Sequence, residues 1–119
     1  VVEDEDVLRG LVKEVLAEKG YTVIEAKDGK EALDIYYSRL DEIALVISDM
    51  GLPKISGYDL FLEMRSRNQG VKMVLVSGYL EPDLRSEILK SGVKDFIQKP
   101  YTPSILLKSV RDILDGSDR

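Results

Sequence analysis

The feature that most constrains the fold is an alternation of short apolar runs with amphipathic stretches, repeated five times along the 119 residues. Short apolar, β-branched runs predict strands, and apolar residues spaced three and four apart predict helices. Parallel strands need a crossover long enough to hold a helix, and such crossovers are right-handed in nearly all sheets. The alternation therefore predicts a single α/β domain in which helices cover both faces of a parallel sheet.

Five strands are predicted from the apolar runs. Val1 and Val2 are expected to end a first strand that begins before this chain, and residues 21–26 form the second. Residues 43–48 and 71–76 are almost continuously apolar, as central strands covered on both faces are. A short fifth strand follows at residues 95–97. The expected strand order is 2-1-3-4-5, which is the flavodoxin-like order of a three-layer sandwich.

Five helices alternate with these strands. Their expected bounds are residues 7–20, 28–40, 56–68, 82–92 and 102–114. Asp28 and Glu31 form a capping-box-like start to the second helix. The apolar spacing places Val7 and Leu11 of the first helix, and Leu40 of the second, on the buried faces.

Polar residues follow four of the predicted strands: Glu3, Asp4, Asp49, Ser77 and Lys99. The carboxyl ends of parallel strands meet at one edge, and ligands of doubly wound sheets bind there beside strand one. Three carboxylates within a few ångströms repel by roughly 4 kcal/mol per pair at an effective dielectric of about 20. A cation would relieve this repulsion, and Mg²⁺ fits because it prefers oxygen ligands and completes its shell with substrate phosphate.

The same residues suit phosphoryl transfer. That reaction needs mainly positioning and neutralisation of the phosphoryl oxygens, which Lys99 and Ser77 can supply as a charge and a hydroxyl donor. A carboxylate nucleophile would form an acyl phosphate. The pattern therefore points to a carboxylate phosphorylated beside a magnesium site.

Composition removes most other chemistries. The chain has no cysteine and no histidine, so thiolate and imidazole catalysis and the usual zinc sites are excluded. The net charge of −5 provides no basic field for nucleic acid or an anionic membrane. No apolar run reaches the roughly 18 residues of a membrane span, and no signal peptide opens the chain. A cytoplasmic domain that contacts neither nucleic acid nor membrane is expected.

Several spaced motifs carry a resemblance to a known family. They are the acidic pair Glu3-Asp4 with Arg9, the run SDMGLP at 48–53 with Gly57, the triplet SGY at 77–79, and Lys99-Pro100. Together they resemble the receiver domain of two-component response regulators over the whole length, residues 1–119. The octet FIQKPYTP at 96–103, together with SGY, is similar to receivers fused to hybrid sensor histidine kinases.

The resemblance implies a role for each acidic position. Asp49 would accept a phosphoryl group from a histidine kinase or a histidine phosphotransfer protein. Glu3, Asp4 and Asp49 would hold Mg²⁺, together with the backbone carbonyl of Gly51. Glu3 is longer than the aspartate often found first in the pair, so it is expected to reach the ion through water as readily as directly.

The resemblance also implies a switch. Ser77 would contact the phosphoryl group, Lys99 would form an ion pair with it, and the Lys99-Pro100 bond would be cis. Phe96 stands at the position of the aromatic that changes rotamer, although without a hydroxyl it could act only through packing. The output would be a surface of helix 4, strand 5 and helix 5, which could also form a homodimer.

Rival functions remain at this stage. A degenerate receiver would act as a phosphate-independent protein-interaction module, and a flavodoxin-like domain would bind flavin. Phosphatases of the haloacid dehalogenase type need a second acid where this chain has Gly51. Enzymatic activity beyond phosphorylation and dephosphorylation of Asp49 would belong to a hybrid kinase parent.

Overall fold

Three parallel strands form the continuous part of the central sheet in the structure, a computed structural model that describes residues 1–116. They are β1 (Val46–Asp49), β2 (Met73–Ser77) and β3 (Asp95–Gln98), and they lie in the order β1-β2-β3. Asp49 stands opposite Val76 in the register. Each strand begins or ends within three residues of the bounds that the apolar runs predict.

The first two predicted strands are reduced to single bridges. Val2 makes isolated parallel bridges to Ala26 on one side and to Ser48 on the other. Residues 21–25 are therefore not a regular strand, and the prediction of a full second strand was wrong. A ladder needs a partner at each position, and among the described residues this segment forms a bridge only at Ala26. The spatial order Ala26, Val2, β1, β2, β3 still matches the predicted order 2-1-3-4-5.

Five helices are present among the described residues. They are α1 (Asp6–Glu18), α2 (Gly29–Ser38), α3 (Gly57–Arg67), α4 (Pro82–Lys90) and α5 (Pro103–Leu114). The side chains of Asp28, Ser56 and Thr102 each accept a hydrogen bond from the backbone N–H three residues on. These N-caps satisfy donors that a helix start leaves unpaired, so they fix where α2, α3 and α5 begin.

Three of the residues expected to be buried are exposed instead. Val7 is 78% exposed, Leu11 is 53% exposed, and Leu40 is 40% exposed. Helix α1 covers the sheet with the narrow stripe of Val12 and Leu16, and the two exposed residues lie beside that stripe. Leu40 lies outside α2 because the helix ends at Ser38.

The helices form two layers around the sheet. One apolar cluster joins α1 and α5 to one face, and the other joins α2, α3 and α4 to the opposite face. Val74 and Leu75, adjacent in β2, belong to different clusters and are both fully buried. This alternation confirms the three-layer α/β sandwich. The last three residues of the expected domain, 117–119, lie outside the described residues.

Candidate functional site

The backbone at the carboxyl edge of the sheet brings the acidic residues together. The N–H of Asp49 donates to the carbonyl of Val2 at 2.9 Å, and the N–H of Glu3 donates to the carbonyl of Ala26 at 3.0 Å. Glu3 and Asp4 therefore leave the sheet beside the end of β1, where Asp49 stands. The buried side chains of Val2, Val46 and Ile47, which precede the acids in the chain, hold this register.

The three carboxylates form one cluster. Oxygen atoms from Glu3, Asp4 and Asp49 all lie within 4.8 Å of one another. Glu3 is only 6% exposed and Asp49 is partly buried, whereas Asp4 is open to solvent. An all-oxygen donor set that is open on one side fits Mg²⁺, which takes one or two carboxylates and keeps several waters.

Burial of Glu3 has an electrostatic cost. Loss of water around the carboxylate raises the pKa of Glu3 above its ordinary value, and the nearby charge of Asp49 raises it further. The N–H of Glu5, 3.0 Å from Oε2, opposes the rise by donating to the charged form. Glu3 is therefore a desolvated carboxylate that a cation would stabilise.

Lys99 supplies the positive charge at the site. Its Nζ lies 2.7 Å from Oδ1 of Asp49 and 3.9 Å from Oε1 of Glu3. Burial lowers the pKa of Lys99, but the hydrogen bond and the charge of Asp49 outweigh it and leave the pKa above its usual value. The N–H of Lys99 donates to the carbonyl of Ser77 at 2.7 Å, and the Lys99-Pro100 bond is cis. The predicted cis bond is confirmed.

The loop after β1 contributes a backbone N–H that donates to Asp49, and the glycine that follows it lies close to the backbone of Asp49. The N–H of Gly51 donates to Oδ2 of Asp49 at 3.2 Å. A Cβ on Gly57 would collide with the carbonyl oxygen of Asp49 and would lie 2.9 Å from Leu75 Cδ2 and 3.0 Å from Met50 Cα. Only glycine therefore lets α3 start this close to the acidic cluster.

The two remaining predicted residues lie on β2 and β3. Ser77 ends β2 one residue beyond Val76, which stands opposite Asp49, so it lies at the same edge of the sheet. Phe96 is buried at 4% exposure, and the guanidinium carbon of Arg85 on α4 lies 5.0 Å from the centre of its ring. The ring is thus part of the core in this structure.

Comparisons with known proteins agree with this geometry. The family model of the response regulator receiver domain matches residues 1–111. The chain belongs to this family. It is therefore a receiver domain of the kind that two-component phosphorelay signalling uses.

Individual relatives support the assignment. Sensor kinase CckA of Brucella abortus is 34% identical over 118 residues, which are 99% of this chain and 12% of that protein. A chemotaxis protein CheY homolog of Campylobacter jejuni is 30% identical over 117 residues, 96% of this receiver and 89% of that protein. The crystal structure of a response regulator receiver domain protein from Clostridium thermocellum superposes with a TM-score of 0.91 at 25% identity, covering 98% of this chain and 92% of that one.

The receiver is shorter than many of its relatives. It spans between 12% and 48% of the length of the first five curated proteins that it matches. Within residues 1–116, no helix is both long enough and apolar enough to cross a bilayer.

The structure gathers the predicted site residues of the receiver at one place. The carboxylate cluster is formed by Glu3, Asp4 and Asp49. Lys99 contacts Asp49, and Ser77 lies at the same edge of the sheet. Sequence reasoning missed the N–H groups of Glu5 and Gly51 as donors to the carboxylates. Every residue except proline carries such a group, so no sequence signal distinguishes these two. Gly57 stands in the sequence only as part of a motif, and the tertiary structure shows its close approach to the carbonyl of Asp49.

Proposed function

We propose that this receiver accepts a phosphoryl group on Asp49 from a phosphohistidine of a partner protein. The observation that carries the proposal is the contact of 2.7 Å between Lys99 Nζ and Asp49 Oδ1, inside a cluster of three carboxylates. The carboxylate is held by fixed donors on both oxygens, since Gly51 donates to the other one. A positioned carboxylate next to a cationic side chain is the arrangement that phosphoryl transfer to an aspartate requires.

The reaction follows from these contacts. An Asp49 oxygen attacks the phosphorus atom of the phosphohistidine while the phosphorus–nitrogen bond breaks, and the imidazole nitrogen keeps the electron pair of that bond. With a proton on its other ring nitrogen the imidazole leaves neutral, so the products are an acyl phosphate on Asp49 and a free histidine side chain. Lys99 balances the charge of the phosphoryl oxygens. The donor histidine lies outside these 119 residues, which contain none.

Glu3, Asp4 and Asp49 would hold Mg²⁺ together with the carbonyl of Gly51. When bound, the ion would neutralise negative charge on the phosphoryl oxygens and on the three neighbouring carboxylates. The donor chemistry fits, since all of the ligands are oxygens and the lysine charge alone does not balance three acids within 4.8 Å.

The response to phosphorylation would pass through β2 and β3. The Ser77 hydroxyl would donate to the new phosphoryl group and move toward it, and Phe96 would repack behind it. These shifts would change the balance between the inactive and active conformations of the surface formed by α4, β3 and α5. This surface would bind the output partner, and it could also join two copies as a homodimer. A shift from a 1:99 to a 99:1 mixture would need a preference of about 5.5 kcal/mol for the active form.

The partner would be a histidine kinase or a histidine phosphotransfer protein in the cytoplasm. Similarity to a sensor kinase at 34% identity supports a hybrid histidine kinase as the parent protein. The net charge of −5 argues against contact with nucleic acid or an anionic membrane through this domain. A degenerate, phosphate-independent receiver is disfavoured because the carboxylates, Lys99 and Ser77 are all present in place.

Incubation with acetyl phosphate and Mg²⁺, followed by intact mass measurement, tests the proposal. We expect an added mass of about 80 Da, one phosphoryl group. Asp49→Ala should abolish the addition, whereas Asp34→Ala, on the exposed face of α2, should retain it. The proposal fails if the parent chain gains no mass, or if Asp49→Ala gains as much as the parent.

A further inference from the structure

The guanidinium of Arg9, on α1, joins three segments of the chain beside the acidic cluster. Its Nη1 donates to the backbone carbonyl of Glu3 at 2.9 Å, and its Nη2 donates to Oδ1 of Asp6 at 2.8 Å. Its Nε lies 3.4 Å from Oε1 of Glu25, in the extended segment that precedes α2. The side chain of Arg9 is only 16% exposed, so the guanidinium is fixed between these segments.

The carbonyl of Glu3 lies where the parallel pairing of the chain beside it ends. The N–H of Glu3 donates to the carbonyl of Ala26, and the N–H of Ala26 donates to the carbonyl of Val1. If this alternation continued, a parallel ladder would bring the N–H of residue 28 to the carbonyl of Glu3. Asp28 is instead the N-cap of α2. The Arg9 guanidinium therefore supplies the donor that the turn into α2 removes.

The peptide that Arg9 holds joins two acids of the cluster. Its carbonyl belongs to Glu3 and its N–H belongs to Asp4, so its orientation determines where the Asp4 carboxylate can lie. Glu3 is buried, whereas Asp4 is open to solvent. Repulsion from Glu3 and Asp49 would turn an unrestrained Asp4 away from the cluster and into water. A fixed peptide restricts that movement and lowers the entropy that Asp4 would lose on binding a cation.

The charge of Arg9 is balanced by its own partners. Asp6 and Glu25 lie 2.8 and 3.4 Å from guanidinium nitrogens, and Lys13 Nζ lies 3.2 Å from the other oxygen of Glu25. Two positive and two negative side chains thus form a network without net charge. Arg9 therefore acts on the cluster through the backbone of Glu3 and not by neutralising the three carboxylates.

We propose that Arg9 is a positioning residue for Mg²⁺ binding, which fixes the peptide between Glu3 and Asp4 and so keeps the Asp4 carboxylate beside the other two. The proposal rests on the magnesium site of the proposed function, and it adds a residue that would not itself contact the ion. The planar fork of arginine bonds several oxygen atoms at once, which the single ammonium of a lysine does not reproduce.

The test measures the dissociation constant of Mg²⁺ by titration of the chain, followed by the amide chemical shifts of Gly51 and Glu5. Arg9→Met keeps an apolar stem and removes the fork. Lys13→Met, one turn further along α1, is the matched control, because it removes an equal charge from the same network without a contact to Glu3. Ionic strength is held constant with NaCl, and urea unfolding without Mg²⁺ reports whether each variant is folded.

Arg9→Met should raise the dissociation constant of Mg²⁺ by about 10- to 100-fold, the usual effect of losing a group that orients a metal ligand. Lys13→Met should leave the constant unchanged. Arg9→Lys keeps the charge but not the fork, so its constant should stay at least about threefold above that of the parent. At saturating Mg²⁺ the phosphorylation rate of Arg9→Met should return close to the parental rate, because Asp49 and Lys99 are unchanged.

Equal dissociation constants for Arg9→Met and the parent would overturn the inference, as would equal weakening by Lys13→Met. Full recovery in Arg9→Lys would overturn it too, since charge alone would then be sufficient. If Arg9→Met is unfolded, the comparison of Arg9→Lys with the parent decides. A parent that binds no Mg²⁺ would overturn the inference, whereas a parent that binds Mg²⁺ but is not phosphorylated would overturn only the proposed transfer to Asp49.

Discussion

At the scale of single residues, Asp49 depends on what surrounds it. Lys99 contacts one oxygen at 2.7 Å and the Gly51 N–H contacts the other at 3.2 Å, so the carboxylate has a fixed orientation. Glu3 adds a second, desolvated negative charge beside it. The reactivity proposed for Asp49 therefore rests on Lys99 more than on any other side chain.

Replacement of Lys99 by methionine tests that dependence. We expect Lys99→Met to slow phosphorylation by acetyl phosphate about 10- to 100-fold, because the charge on the phosphoryl oxygens loses its fixed counter-charge. Lys30→Met removes an equal charge at an exposed position, with a side chain 89% exposed, and should leave the rate unchanged. The measurement is the initial rate of phosphoprotein formation by mass spectrometry. Equal rates for Lys99→Met and the parent would contradict the role given to Lys99.

At the scale of elements, short local signals set the helix starts. Oδ1 of Asp28 accepts from the N–H of Glu31 at 2.8 Å, and Oε1 of Glu31 accepts from the N–H of Lys27 at 2.9 Å. The predicted capping-box-like pair is thus confirmed, although Glu31 reaches one residue further back than in the standard box. These bonds fix the start of α2, which buries Ala32 and Tyr36 in the apolar cluster that it shares with α3.

Two aspartate substitutions at α2 separate capping from simple loss of charge. Asp28→Ala removes the acceptor at the N-cap and should lower the free energy of unfolding by about 0.5–2 kcal/mol. Asp34→Ala removes an exposed partner of Lys30, 3.5 Å away, and should change it by only a few tenths of a kcal/mol. Urea unfolding of both variants gives the comparison. An equal loss from the two substitutions would show that the cap does not stabilise the helix.

At the scale of the whole molecule, the cluster of three carboxylates at the carboxyl edge of the sheet opposes folding. Burial of Glu3 beside Asp49 costs free energy that the core must offset, and Asp4 adds to the repulsion. The pKa of Glu3 is raised for the same reason, since burial disfavours the charged form of the carboxylate. A cation that binds only the folded chain would therefore couple ion binding to stability.

Mg²⁺ should raise the unfolding free energy of the receiver, by about 2.7 kcal/mol at one hundred times the dissociation constant. Asp4→Asn, which keeps the shape of this exposed side chain, should lose most of that gain. Glu3→Gln should raise stability without Mg²⁺ and also reduce the gain. Urea unfolding with and without MgCl₂, with NaCl at matched ionic strength as the control, provides the measurement. The same Mg²⁺ gain in Asp4→Asn as in the parent would count against the site.

The sequence by itself indicated the fold class, the strand order and which polar residues meet at one edge of the sheet. These follow from local properties: apolar periodicity fixes which segments are strands or helices, and parallel strands bring their carboxyl ends to one edge. It could not determine that Val7 and Leu11 stay exposed, because periodicity identifies an apolar stripe but not how much of it a neighbour covers.

Only the tertiary structure decided the finer arrangement. It showed that residues 21–26 keep a single bridge, because pairing depends on what lies beside a segment and not on the segment's own β propensity. It also showed that the Glu5 and Gly51 N–H groups hold the carboxylates and that Gly57 must lack a side chain. Contacts between residues far apart in the chain decide each of these features, so a local pattern cannot contain them.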